Sequence, residues 1–382
     1  MTGGTGEEDA SSSGDAQPRG WCNAVGARAG GRMGPAPAGG TVRRGTGQER
    51  ARLEQGSRAA PARLLRADAD GLAAAVAALD AGCLIGLPTE TVYGLAGDAL
   101  APDTVAAIFA AKARPADNPL IVHLAAADQL ARVSDEVTPL ARALAAAHWP
   151  GPLTLVVTAA ASVPAITRAG LSTVAVRVPD HPVATAVLQR CRSPLAAPSA
   201  NRSGRPSPTT AQDVLGEFGR ELALVLDGGP CVVGVESTVV DVRGSRPVVL
   251  REGGVTREQL GVAGEEAAGE LQRSPGTRYR HYAPRCQVRI APAGQLDVEV
   301  ARAVTDGVHL GVVVHRDRAD QVPRPATVID TFTDAPDLAR RLYTGFREAE
   351  RAGVEVLLVE AVPEEGVGRA VMDRLRRAAG VA

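Results

Sequence analysis

From about residue 63 to residue 260, short apolar runs alternate with Ala-rich stretches of helical period, and that alternation constrains the chain to a layered α/β domain with helices packed on a sheet. Strands are expected over 83–87, 120–124, 153–158, 174–178, 195–197, 222–226, 238–242 and 248–251. Helices are expected over 70–81, 138–147, 182–190 and 210–218, with another running to about Ala113 from Asp103 as its cap. After a Gly-, Glu- and Ala-rich break at 261–276 comes the polar segment Thr277-Arg278-Tyr279-Arg280-His281-Tyr282-Ala283-Pro284. A smaller α/β unit follows, with strands at 308–314 and 354–360 and helices at 336–351 and 367–379. Gly366-Val367-Gly368 is half of a dinucleotide fingerprint and reads as an ordinary helix start, because the third glycine is missing.

Residues 1–60 carry no hydrophobic period and read as a disordered extension around an isolated Trp21. The formal net charge is −1, so no global field draws the chain onto nucleic acid or an anionic membrane. No apolar run reaches the roughly 18 residues that a membrane span needs, and no signal-peptide layout is visible, so a cytoplasmic location is expected. Five widely spaced cysteines, Cys22, Cys83, Cys191, Cys231 and Cys286, read as reduced thiols rather than a zinc or disulfide frame. Lys112 is the only lysine, among many arginines. A lysine that survives such a bias marks a place where a compact ammonium is wanted and a planar guanidinium is not.

The chain lacks GxxxxGK[ST], a GxSxG elbow and any metal-ligand spacing. Polar residues gather instead at the ends of expected strands, where α/β sheets place ligands. Thr89, Glu90 and Thr91 follow the first strand, as a ligand-binding turn or a capping turn. Lys112 and Arg114, with Asn118 just beyond, suit either a helix C-terminal dipole or a triphosphate. His123 ends a strand, as a core histidine or a ligand contact. Arg177 lies in an apolar strand and must meet an internal acid or a ligand carboxylate. Ser199-Ala200-Asn201-Arg202-Ser203-Gly204 is a small-residue loop that can offer N–H groups and hydroxyls to phosphate, or simply turn. Glu236-Ser237-Thr238 enters one strand and Arg251-Glu252-Gly253 leaves another.

Taken together, GLPTETVYGLAGDA, KARPADNPLIVH, HWPGPLTLV, VAVRVPDHP, APSANRSGRPSPT, GVESTVVD and LREGG closely resemble the YrdC-like threonylcarbamoyl-AMP synthases. SPGTRYRHYAP and the small last unit resemble that family's long, two-domain branch. The resemblance implies a YrdC-like open twisted mixed sheet with flanking helices, plus a smaller Rossmann-like α/β C-terminal domain. It divides the chain into an extension at 1–60, a catalytic domain at 61–262, a linker or lid at 263–284 and a C-terminal domain at 285–382. The implied reaction joins L-threonine, bicarbonate and ATP into threonylcarbamoyl-AMP, pyrophosphate and water, for modification of the tRNA adenosine next to the anticodon. Carried over by motif, Lys112, Arg114, Ser199 and Asn201 are the catalytic candidates. Arg114, Asn118, Thr173, Asn201, Thr209, Arg251 and Tyr282 would surround ATP. Thr91, His123, Arg177, Ser199 and Thr238 would surround L-threonine. Mg²⁺ is expected with the nucleotide, its ligands unassigned, and tRNA and a tRNA threonylcarbamoyltransferase are expected partners. Tyr279, His281 and Tyr282 would form a lid. The competing readings are a double-stranded RNA or tRNA-binding module, a carbamoyl-adenylating maturation factor, and a regulatory sensor without turnover.

Overall fold

The computed structural model describes residues 61–262, 281–292, 294–305 and 307–381. The expectations for 1–60, Trp21, Tyr279 and most of the linker therefore fall outside the described residues. The first sheet has eleven strands, in the order β1 (Arg63–Arg66), β9 (Leu224–Asp227), β2 (Ile85–Leu87), β3 (Gly94–Asp98), β8 (Leu195–Ala196), β4 (Ile121–His123), β7 (Thr173–Arg177), β6 (Leu153–Ala159), β10 (Thr238–Asp241) and β11 (Val248–Arg251). β5 (Ser134–Glu136) pairs with β6 off this path. The sheet is mixed: β1 and β2 run parallel to β9, whereas β3 is antiparallel to both β2 and β8.

Local chemistry sets the helix ends. Asp68 accepts from Gly71 N to open α1 (Ala69–Asp80). α2 (Pro102–Lys112) starts on Pro102 at its first turn; Asp103 sits inside that turn instead of capping it, because a first-turn proline has no N–H to satisfy. Ala113 then takes a left-handed φ of 49° and stops the helix. Thr138 caps α3 (Pro139–His148) and His181 caps α4 (Pro182–Arg190). Thr210 caps α5 (Ala211–Glu217), and α6 (Arg257–Leu260) opens on a Thr256–Gln259 capping box. Leu79, Ile85, Leu87, Val187, Leu188 and Leu226 form the core under α1 and α4; each such side chain contributes about 1.5–3 kcal/mol on burial.

The C-terminal unit is a four-stranded parallel sheet, in the order β12 (Gln287–Ala291), β15 (Val356–Glu360), β13 (Leu310–His315) and β14 (Thr327–Phe332). α7 (Leu296–Thr305) covers one face through Leu296 and Val300. α8 (Ala335–Arg351) and α9 (Gly368–Ala379) cover the other. That second core is not confined to its own domain, since Val92, Val235 and Tyr282 belong to it. Gly234 explains how closely α8 can approach: a Cβ there would lie 2.4 Å from Ala339 O and Arg340 Cα. Alongside, Arg205 forks onto Glu350 at 2.5 and 2.7 Å, and Arg347 Nη2 donates to Pro206 O at 2.6 Å. The helix thus grips the loop that runs on from Asn201.

Candidate active site

The ends of β2, β4, β7, β8 and β11 open on one cleft of about 720 Å³, measured with its mouth. Of the residues singled out from sequence, Thr91, Lys112, Arg114, His123, Arg177, Ser199, Asn201, Arg251 and Tyr282 line it. Thr89, Ser203, Glu236, Ser237 and His281 line it too. Asn118, Thr173, Thr209 and Thr238 do not. Asn118 lies behind Arg114, and Thr173 opens β7 opposite Thr158 at the end away from Arg177. Thr209 pairs with Thr344 at 3.2 Å, and the Thr238 hydroxyl is spent on the backbone of Val255.

The lone lysine is 1% exposed and its ammonium donates to Ser199 O and Asn201 O, each at 2.5 Å. Two of its three donors therefore tether the Ser-Ala-Asn loop, leaving one for the cleft. Burial, then the neighbouring Arg114 cation, pulls its pKa well below the ordinary lysine value. The left-handed turn at Ala113 throws Arg114 off the helix end. There Asn118 O, Asn118 Oδ1 and Pro119 O receive its Nε and Nη2 at 2.6–2.8 Å. The outer part of that guanidinium is held ready rather than consumed.

Also on the cleft wall, Arg177 Nη1 donates to Thr91 Oγ1 at 2.8 Å and Nε to Gly151 O at 3.1 Å. The sequence left open an internal acid or a ligand carboxylate; the fold supplies the acid, Glu90, and still keeps Arg177 on the cleft wall. Thr89 donates its proton to Val92 O at 2.6 Å. The proton in the 2.9 Å Thr89–Thr91 contact therefore comes from Thr91. Thr91 Oγ1 is left as an acceptor towards the cleft. His123 is buried and neutral, its pKa lowered to about 3 by burial and then by the Arg177 cation.

Asn201 Nδ2 donates to Arg202 O and Arg205 O, whereas its buried Oδ1 has no partner. Such an orphan acceptor on a cleft wall fits a ligand donor. Arg251 bonds Ser237 O at 2.7 Å, and Gly253 lets the two segments meet, since a Cβ there would sit 2.3 Å from Glu236 O. Tyr282, with φ 66°, lies under the Arg374 guanidinium at 5.5 Å and beside Tyr343 at 5.6 Å. Arg374 and Tyr343 come from the C-terminal unit and were not among the sequence candidates. Their only signal was a place in the apolar stripes of their helices.

Among the described residues no cluster of three or more His, Cys, Asp or Glu could hold a metal ion. Glu236, the one carboxylate on the described cleft wall, already receives Ser207, Tyr343 and Arg374. The residues thus do not make a magnesium site of their own. Among the described residues Cys191, Cys231 and Cys286 are free thiols. No described helix is long and apolar enough to cross a membrane.

A family profile described as telomere recombination, covering the Sua5, YciO and YrdC proteins, matches residues 77–253. A second, described as the threonylcarbamoyl-AMP synthase C-terminal domain, matches residues 254–380. A threonylcarbamoyl-AMP synthase of Pyrococcus abyssi is 40% identical over 319 residues, 78% of this chain and 91% of that protein. One of Bacillus subtilis is 38% identical over 326 residues, 81% of this chain and 93% of that protein. The crystal structure of P. abyssi Sua5 complexed with L-threonine superposes with a TM-score of 0.75 at 38% identity, covering 84% of this chain and 97% of that one.

Proposed function

Because the chain belongs to the Sua5/YciO/YrdC family of threonylcarbamoyl-AMP synthases, we propose that its cleft holds ATP and L-threonine side by side and joins them through bicarbonate. The enzyme is an ATP-dependent nucleotidyltransferase that makes threonylcarbamoyl-AMP, the activated precursor for tRNA adenosine modification. Relatives matched over nine-tenths of their length carry that activity in their names, and nothing comparable favours an RNA-binding module or a maturation factor.

The observation that carries the site assignment is the convergence of Lys112, Arg114, Arg177 and Arg251 with Thr91, Ser199 and Asn201 on one cleft. Arg177 takes the threonine carboxylate, and Thr91 Oγ1 accepts from the substrate hydroxyl. His123, neutral and apolar on its faces, packs beside the amino acid without adding charge. The threonine amine and bicarbonate condense to a carbamate with loss of water. A carbamate oxygen attacks the α-phosphorus and pyrophosphate leaves. Charge gathers on the phosphate oxygens, where the third Lys112 donor and Arg114 Nη1 stabilise it. Asn201 Oδ1 receives a nucleotide hydroxyl or amino group, and Arg251 and Tyr282 bound the nucleotide. Asn118 acts from behind the wall by aiming Arg114. Mg²⁺ enters this proposal as the companion of ATP, carried on its phosphates.

The proposal places this reaction in the cytosol, with the adenylate passed to a tRNA threonylcarbamoyltransferase. It is tested by pyrophosphate release from ATP with threonine, serine or valine, with and without bicarbonate. Release should need both threonine and bicarbonate, and valine should be rejected, by up to about 10⁴, because the Thr91 Oγ1 lone pair turned to the cleft would go unfilled. Release that ignores bicarbonate, or equal use of valine, would overturn it.

A further inference from the structure

Glu236 poses a problem for a cleft that must accept a triphosphate. Its carboxylate lines that cleft, is 7% exposed, and faces the same space as Lys112, Arg114 and Arg251. An unbalanced buried anion there would repel the nucleotide. The structure balances it from the C-terminal domain. Arg374 Nε donates to Glu236 Oε2 at 3.0 Å, and Tyr343 OH lies 2.9 and 3.0 Å from its two oxygens. Ser207 adds a third donor at 2.6 Å. Arg374 is wholly buried, a costly place for a guanidinium unless its charge has a task. The same two residues both pack against the Tyr282 ring.

We propose that Arg374 and Tyr343 are positioning residues for the ATP site: they neutralise and fix the Glu236 carboxylate on the cleft wall so that an anionic nucleotide can share the cleft with it. The C-terminal domain thereby sets the electrostatics of a pocket whose other walls come from the first sheet. Threonine, held by Arg177, which pairs with Glu90 rather than Glu236, is much less affected. This inference rests on the reading that the cleft takes ATP.

The test uses the full chain and steady-state pyrophosphate release, varying ATP at saturating threonine and the reverse. Arg374→Met should raise the ATP KM by roughly tenfold or more, as expected when a buried carboxylate loses its counter-charge. The threonine KM should move by less than about threefold, the range of one lost neutral hydrogen bond. Adding Glu236→Gln to Arg374→Met removes the stranded charge and should bring the ATP KM back at least severalfold, which a purely packing role for Arg374 would not do. Tyr343→Phe keeps the ring and gives the same reading if Arg374→Met fails to fold, with an ATP KM raised about tenfold because the lost hydrogen bond is to a charged carboxylate. Equal shifts in both KM values, or a double variant no better than the single one, would overturn the inference while leaving the function intact. A wild-type chain that turns over no ATP would overturn both.

Discussion

Arg177 Nη2 lies 2.5 Å from Glu90 Oε1 with both side chains 4% exposed, yet neither Glu90 oxygen makes a hydrogen bond. The pair balances charge without satisfying direction. Two ions have been taken out of water, at several kcal/mol each, for a contact that leaves the carboxylate lone pairs unfilled. Arg177 is meanwhile aimed by Thr91 and Gly151 O onto the cleft wall. Such an arrangement suits a guanidinium whose better partner arrives with the substrate.

Glu90→Gln should therefore lower the melting temperature, since removing one member of a buried pair strands the other at a cost of about 3–5 kcal/mol. Saturating L-threonine should then raise the melting temperature more in the variant than in the wild type, because the substrate carboxylate restores the missing charge. Scanning calorimetry with and without threonine checks this. An equal threonine-induced rise in both proteins would refute the exchange.

Lys112 yields a different kind of prediction. Its ammonium ties down Ser199 O and Asn201 O, so Lys112→Met removes a phosphate-facing donor and also frees two buried carbonyls. Turnover should fall by about 10² or more, and hydrogen exchange at residues 199–204 should quicken. Lys112→Arg should not rescue either, since a planar fork cannot occupy a site shaped for a point charge. Full turnover in Lys112→Arg would remove the argument from the lone lysine.

Individual strands could be glimpsed in the sequence only where they were apolar, and their order in the sheet could not. β7 and β11 stood out as runs such as Val174-Ala175-Val176, but β3 is Gly94-Leu95-Ala96-Gly97-Asp98, too small and mixed to register as a strand. Its glycines serve close packing: a Cβ on Gly97 would meet Thr104 Cγ2 at 2.6 Å. The polar cleft residues were legible because strand ends gather them in contiguous motifs. The Glu236–Arg374 link was not, because its halves lie far apart in sequence and Arg374 is one of several arginines in its helix. Helical period alone put Arg374 between Val371 and Leu375 on the buried face. An internal acid as the partner of Arg177 was one of two options that spacing could not decide, and nothing in the sequence pointed to Glu90 as that acid.

Acid should weaken the fold before any carboxylate titrates. Burial holds the pKa of His123 near 3 and that of His281 near 4, both below the ordinary 6.5, with Arg177 and Arg114 respectively as the next cause. Burial also lowers His181. The unfolded chain therefore takes up these protons first, and stability falls as pH drops through 6.5 and keeps falling towards 4 and 3. At pH 5, His123 and His281 each cost roughly 2 kcal/mol. Glu236 and Glu350 are held below their ordinary 4.5, so their contribution is lost mainly once the pH falls below that value and the slope between pH 7 and pH 5 comes chiefly from the histidines. Melting temperature should decline by several degrees between pH 7 and pH 5, and more shallowly in His123→Leu, where one of the three imidazoles with a lowered pKa is gone. A melting temperature flat over that interval, or a His123→Leu curve parallel to the wild type, would show that His123 is not held neutral by the fold.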